Sequence, residues 1–204
     1  MRRVFTGHIA GAGTGSGLRI VVGKWDESPF GSFTDAMLQT ADDERVLLAP
    51  TEGIAEFVSS TYHFDRVELG ELSGELTADV LTVEADHFDA RIHIGGASPV
   101  DALLRLVPPR LATSPRWLRV IDPIASRVVR GVHTYGTAGN GRAEYYGVRR
   151  SRRITAIDGH HRGVPFDGLA PLRPPVSFGF SSAPASPQIV AVTTTIDEVE
   201  QAIR

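Results

Sequence analysis

Trp25-Asp26-Glu27-Ser28-Pro29-Phe30-Gly31-Ser32-Phe33-Thr34-Asp35 joins two segments in which apolar side chains recur at every second position. Residues 18–24 precede it and residues 33–40 contain its end, and both are rich in the β-branched and aromatic types that suit a pleated surface. Between them, Ser28-Pro29 and Gly31 supply turn chemistry: proline presets φ and glycine admits positive φ. The stretch therefore reads as a strand, a turn and a returning strand, which makes the fold class mainly β.

The same period-2 pattern extends outward in both directions. It predicts strands at residues 4–10, 18–24, 33–40, 45–49, 66–73, 80–85, 87–94, 132–137, 142–148, 152–157, 176–181 and 189–196. Gly11 to Gly17, Asp42-Asp43, Gly139-Asn140-Gly141 and Asp158-Gly159 read as turns, with Asn140-Gly141 the strongest hairpin signal. Three helices interrupt the strands. Thr51 caps a short one with Ile54, Phe57 and Val58 on one face. Ser98-Pro99 opens a second, ended by Pro108-Pro109, and Ser114-Pro115 opens a third that meets Pro123. No repeat or linker divides the chain, so residues 1–204 are expected to form one domain with a short helical insertion.

Composition excludes several classes. A formal charge of −3 over 204 residues points to neither nucleic acid nor an anionic membrane. No apolar run nears the roughly 20 residues that span a bilayer. Met1-Arg2-Arg3-Val4-Phe5-Thr6-Gly7-His8 carries no apolar stretch like that of a signal peptide, so a cytoplasmic protein is expected. Cysteine is absent, which removes disulfides, thiolate metal sites and a cysteine nucleophile together. Lys24 is the only lysine. The bias toward arginine is that of a GC-rich genome, and it leaves amine chemistry with one side chain to perform it.

Familiar motifs fail on inspection. Gly11-Ala12-Gly13-Thr14-Gly15-Ser16-Gly17 follows a strand, but Ser16 stands where a dinucleotide fingerprint needs its last glycine. A further strand follows, so no helix N-terminus is offered to a phosphate. His87, Asp89, Arg91 and His93 share one strand face, with Phe88, Ala90, Ile92 and Ile94 opposite. His93 lies about 20 Å from His87 by strand rise, so the stripe cannot converge on one metal. No metal and no cofactor is expected. His160-His161 beside Asp158-Gly159 reads as a surface turn, and neither Ser59-Ser60 nor Ser181-Ser182 lies in a nucleophile elbow.

The opening stretch resembles a segment of acetoacetate decarboxylases written D-x-S-x-φ-G-x-[YF]-x-E, where φ is apolar. Asp26, Ser28, Phe30, Gly31 and Phe33 match, and Asp35 stands where that family has its active-site glutamate. The order of later pieces is similar too. Gly53-Ile54-Ala55 and Ser60-Thr61-Tyr62 look like the next helix and turn. Leu72-Ser73-Gly74-Glu75-Leu76 through His93 resembles the paired strands. Leu103-Leu104-Arg105-Leu106-Val107-Pro108 with Ser114-Pro115-Arg116 resembles the central insertion, and Leu169-Ala170-Pro171-Leu172 precedes the last strands. The resemblance starts near Arg19, so the family's N-terminal segment, with its active-site arginine, is expected to be shortened here.

The resemblance implies a cone-shaped antiparallel β-barrel with a largely apolar lumen; the family tends to assemble into homo-oligomers, while nothing in this sequence fixes an interface. Family chemistry runs through an imine between a lysine and a β-keto acid, whose protonated nitrogen accepts electrons as carbon dioxide leaves. That lysine lies in a Tyr-Pro-Lys-Lys turn; the corresponding turn here is Tyr62-His63-Phe64-Asp65. Imine chemistry therefore has no residue at the family position.

Three functions follow as expectations. The first is a non-decarboxylating relative that binds a small apolar or carboxylate ligand in the barrel, through Asp35, Tyr62, His63, Phe64 and Glu144, with Arg142 a further candidate. Asp35 has an alternative role as a brace of the turn at Ser28 and Gly31. The second is an enzyme of altered, lyase-like chemistry, using Asp35 and His63 as acid and base or Lys24 as a relocated amine. The third is a filled barrel acting as a structural or partner-binding module, in which Phe64 occupies lumen volume.

Overall fold

The computed structural model describes residues 2–128, 133–138, 142–179 and 183–198. All of its strands belong to one sheet: β1 (Arg2–Thr14), β2 (Arg19–Glu27), β3 (Phe33–Gln39), β4 (Arg45–Ala49), β5 (Arg66–Leu69), β6 (Leu72–Leu76), β7 (Val80–Ala85), β8 (Phe88–Ala97), β9 (Tyr135–Ala138), β10 (Arg142–His161), β11 (Val164–Pro165), β12 (Leu169–Ala170) and β13 (Gln188–Glu198). The hydrogen-bonded order is β5-β4-β3-β2-β1-β13-β10-β8-β7-β6. Every pair is antiparallel except β4 with β5, which run parallel on either side of helix α1 (Glu52–Ser59). The fold is thus mainly β, with a curled half-barrel sheet and few helices.

Curling gives the sheet two buried faces. Ala10, Ile20, Val22, Ala36 and Leu38 on one side meet Leu72, Leu81, Val83, Phe88, Ile92 and Ile157 in a single cluster, because β6–β8 fold back over β2 and β3. Gly74 of β6 sits directly on the Thr34 side chain. This enclosed side is occupied by side chains. The opposite face carries Phe5, Val21, Phe33 and Met37, and is covered by helices. Burial on both faces explains why Ile20-Val21-Val22 of β2 are apolar at consecutive positions.

Two bulges in β10 let one strand serve both faces. Val148 pairs with Val192 and Arg150 with Ala191, so Arg149 is the extra residue. Glu144, Tyr146 and Val148 point to the helix-covered face before the bulge, and Ser151 after it. A second irregularity between Ile154 and Ala156 puts Ile154 and Ile157 on the same, inner face. A period-2 reading breaks at each bulge, which is why residues 142–148 and 152–157 looked like separate strands.

Other departures have similarly local causes. The predicted strand at 66–73 is two strands, interrupted at Gly70-Glu71 where the chain leaves one end of the sheet and enters the other. β1 continues through Gly11-Ala12-Gly13-Thr14, so only Gly15-Ser16-Gly17 make the turn, with Gly17 at φ +85°. Gly13 is in the strand because Pro171 O crosses it: a Cβ there would lie 2.3 Å away. Ser98 does not cap a helix. Its hydroxyl donates to Ser151 Oγ (2.8 Å), and α2 (Asp101–Leu104) starts after Val100. Pro109 opens a short α3 (Pro109–Ala112) instead of ending a helix, and α4 (Pro115–Val128) runs through Pro123.

Residues 176–179 form no strand: the backbone N–H of Ser177 donates to Gln39 Oε1 (2.8 Å), and Phe178 O accepts from His63 N (2.6 Å). Side chains and a turn, not a neighbouring strand, satisfy that segment. The Gly139-Asn140-Gly141 hairpin and Ser181-Ser182 lie outside the described residues. The polar stripe of β8 faces outward, with His93 Nε2 2.9 Å from Asp158 Oδ2 and Asp89 paired to His160. No helix among the described residues is long and apolar enough to cross a membrane.

Candidate functional site

A cavity of about 470 Å³ lies between the helix-covered face of the sheet and its roof. Its floor is built by alternation: Phe5 and Ile9 of β1, Val21, Gly23 and Trp25 of β2, Phe33, Asp35 and Met37 of β3, and Val190, Val192 and Thr194 of β13. Phe57 and Val58 of α1, Trp117, Ile121 and Ile124 of α4, and the segment carrying Val176 and Phe178 close it from above. α4 presents this apolar side because Trp117, Ile121, Ile124 and Ala125 recur at helical spacing. Asp122 ties the helix to the chain that returns from it, accepting from Thr134 N (2.6 Å) and Tyr135 N (3.1 Å).

Two polar features interrupt this lining. Asp35 is buried, and its Oδ1 accepts from Trp25 Nε1 at 2.8 Å across the β2–β3 hairpin. The bond lies over Gly23, directly opposite Asp35 in the register; a Cβ there would come within 2.5 Å of Asp35 Oδ1 and 2.6 Å of Trp25 Nε1. Burial pushes the Asp35 carboxyl up to about 7, opposed by the Trp25 hydrogen bond. Asp35 is therefore no brace of the turn, which is held by Ser28 Oγ donating to Gly31 O (2.6 Å).

The second feature is Glu144, fully buried on β10. Its Oε2 lies 2.7 Å from Tyr146 OH and 3.3 Å from Tyr62 OH, and the two phenols also lie within hydrogen-bond reach of each other, so the three oxygens share two phenol protons. Its Oε1 has no hydrogen-bond partner among the described residues, nor has Thr194 Oγ1 on the neighbouring strand. Burial raises the Glu144 carboxyl, against the hydrogen bonds of both tyrosines and the nearby charge of Arg142. Burial, with the Glu144 charge contributing, also holds the Tyr62 and Tyr146 phenols well above their ordinary range, so both stay protonated donors. The Asp35 charge acts on Tyr62 in the same direction.

The structure thus brings together Asp35, Tyr62 and Glu144 of the residues singled out in the sequence. It leaves the others outside. His63 is exposed, turned away from the cavity by the bond its backbone makes to Phe178. Phe64 packs on Phe178 with ring centroids 5.6 Å apart, and does not fill the cavity. Asp65 forms a two-point pair with Arg45 (2.8 and 3.0 Å). Lys24 lies on the opposite face of β2 from Gly23 and Trp25, with Nζ 3.0 Å from Asp26 Oδ1. An Asp35–His63 acid–base pair is corrected because His63 is exposed and absent from the cavity lining, and a Lys24 amine inside the cavity is corrected by strand parity. Arg142 sits outside as well, its guanidinium 5.1 Å from the Phe57 ring and bonded to Ser60.

Trp25 and Tyr146 are the site residues that sequence reading passed over. Each had a signal. Tyr146 is two residues from Glu144 and so shares its strand face, and Trp25 is diagonal to Asp35 across the hairpin. Thr194 had none.

No protein-family model matches the chain, and no curated protein does. Among solved structures, the crystal structure of acetoacetate decarboxylase from Legionella pneumophila subsp. pneumophila str. Philadelphia 1 is similar to it over 97% of this chain and 85% of that one. The TM-score is 0.44 and the sequence identity 10%.

Proposed function

We propose that this chain is an acetoacetate decarboxylase-like protein that works without an imine-forming lysine and binds a small, mainly apolar ligand between its sheet and helices. The observation that carries the reading is the cavity itself: about 470 Å³, walled by aromatic and aliphatic side chains, with a few convergent polar groups and no lysine among its described lining residues. Lys24, the sole lysine in the sequence, points to the other face. An imine needs a neutral amine at the carbonyl carbon, and this cavity offers carboxyl and phenol groups instead.

Those groups suit a ligand with one polar end. The two phenols are committed to Glu144, and Asp35 near neutrality can present a proton or accept one. A ligand carboxylate would meet acids and no arginine or lysine in the described lining, so it would have to enter as the neutral acid.

Treatment with acetylacetone and borohydride, read by intact mass, tests the chemistry. No adduct is expected; an adduct that disappears in Lys24→Ala would overturn the reading. Benzylacetone titrated against tryptophan fluorescence tests the binding, since Trp25 and Trp117 both line the cavity.

A second reading rests on Asp35 alone. A buried carboxyl at about 7 beside Trp25 is matched to proton abstraction from an enolisable ketone near neutral pH. Deuterium uptake into acetone or benzylacetone in D₂O, abolished in Asp35→Asn, would establish it; uptake at the uncatalysed rate would remove it.

A further inference from the structure

Most of the cavity wall is indifferent to what lies against it, but one atom is not. Glu144 is fully buried, its Oε2 lies against two phenols, and its Oε1 has no hydrogen-bond partner among the described residues. A buried acceptor without a partner costs about 1–3 kcal/mol, more when charged. Thr194 Oγ1, on the residue opposite Tyr146 in the β10–β13 register, is likewise buried without a partner. These atoms ask for a donor.

The charge around them says which donor. The titratable groups lining the cavity are Asp35, Glu144, Tyr62, Tyr146 and His133; no lysine or arginine is among the described lining residues. The Arg3 and Arg142 guanidiniums lie against the Phe57 ring at 5.2 and 5.1 Å, and the Arg142 charge reaches Glu144. A cationic nitrogen entering this chamber would find two acids and the faces of several aromatic rings, which attract cations through their quadrupoles. An anion would find the reverse.

We propose that the cavity takes an apolar amine, its cationic N–H end donating to Glu144 Oε1 with Asp35 as the second acid, and its hydrocarbon body against the aromatic walls. The proposal rests on the ligand-binding reading above and names the chemistry of the ligand's polar end. A ketone can only accept, so it requires an acid at the site to keep its proton. An amine requires one to lose it. The two are therefore distinguished by protons as well as by affinity. The Asp35 carboxyl, raised to about 7, carries a proton below neutrality, and Glu144 is raised in the same direction; pairing with an ammonium lowers both, so amine binding releases a proton there and tightens as pH rises toward 8.

The test is calorimetric titration of the full chain with phenylbutylamine, benzylacetone and phenylbutyrate, in buffers of differing ionisation enthalpy. Phenylbutylamine is expected to bind about tenfold or more tighter than benzylacetone at pH 8, the gain of a charged hydrogen bond. It should release up to about one proton per molecule bound at pH 6.5. Glu144→Gln should weaken the amine by about tenfold. Proton release on wild-type protein needs no variant, so a Glu144→Gln chain that fails to fold leaves the question answerable. Benzylacetone binding without the amine, or amine binding without proton release, overturns this inference alone. If none of the three binds, the ligand-binding reading falls with it.

Discussion

Asp35 pays for its position in ionisation. Its carboxyl is raised from 3.8 to about 7 in the folded protein. The folded state therefore holds a proton that the unfolded chain gives up between those values. Its stabilising contribution is whole below about pH 4, declines through the window, and is gone above about 7. Over that window wild-type protein is expected to lose up to about 4 kcal/mol relative to Asp35→Asn, which keeps an acceptor for Trp25 and cannot ionise. Urea unfolding of both proteins from pH 4 to 8 checks this, and parallel curves would refute it. Glu144, also raised, adds a slope of the same sign to both. At Thr194 the expectation is opposite: Thr194→Val removes an unpartnered buried hydroxyl at nearly constant volume, and should raise stability by about 1 kcal/mol in the same assay.

At the scale of elements, the β2–β3 hairpin decides whether Asp35 can be held at all. Trp25 reaches back across the hairpin over the one position without a side chain, and Gly23→Ala would drive a methyl into that bond. A loss of about 1–3 kcal/mol is expected, together with a shifted tryptophan emission as Trp25 loses its acceptor. Unchanged emission would mean that the indole has another seat. The helix cap behaves more simply. Thr51 Oγ1 accepts from Ile54 N at 3.4 Å, a long bond, so Thr51→Ala should cost at most about 1 kcal/mol by urea denaturation. The Thr51 cap, the alternation around Asp35 and the bounds of β4 and β7 were all legible in the sequence, because each depends on residues within one turn or one strand. The bulge at Arg149 was not, since it exists only through pairing with β13, more than forty residues downstream.

On the scale of the whole molecule, the sheet is the middle layer of the fold. Its inner face closes on itself through β6–β8, and its outer face leaves room that α1, α4 and the 176–179 segment roof without filling. The expectation of a barrel lumen thus divides into two places, a filled one and an open one on the other side of the same strands. The roof hangs on Asp122, whose Oδ1 gathers the backbone of Thr134 and Tyr135. Asp122→Ala is expected to lower stability by about 1–3 kcal/mol and to weaken benzylacetone binding, because α4 would no longer be held to the returning chain. Weakened stability with unchanged binding would show that α4 is not the part of the roof that retains the ligand.

Sequence alone established the mainly β class, most strand positions, the helical insertion, the lone lysine and the candidacy of Asp35, Tyr62 and Glu144. Each follows from local periodicity, turn chemistry or residue type, which short windows contain. Tertiary structure decided which face each side chain serves. Lys24 and Gly23 are neighbours in the chain and lie on opposite sides of the sheet; His63 and Tyr62 are neighbours, and only Tyr62 enters the cavity. Glu144 gained its role from Tyr62, distant in sequence and brought close by the α1–β5 connection. A strand's period tells which residues share a face, but which face is enclosed depends on how the sheet curls and what covers it, and that is settled by packing across the whole chain.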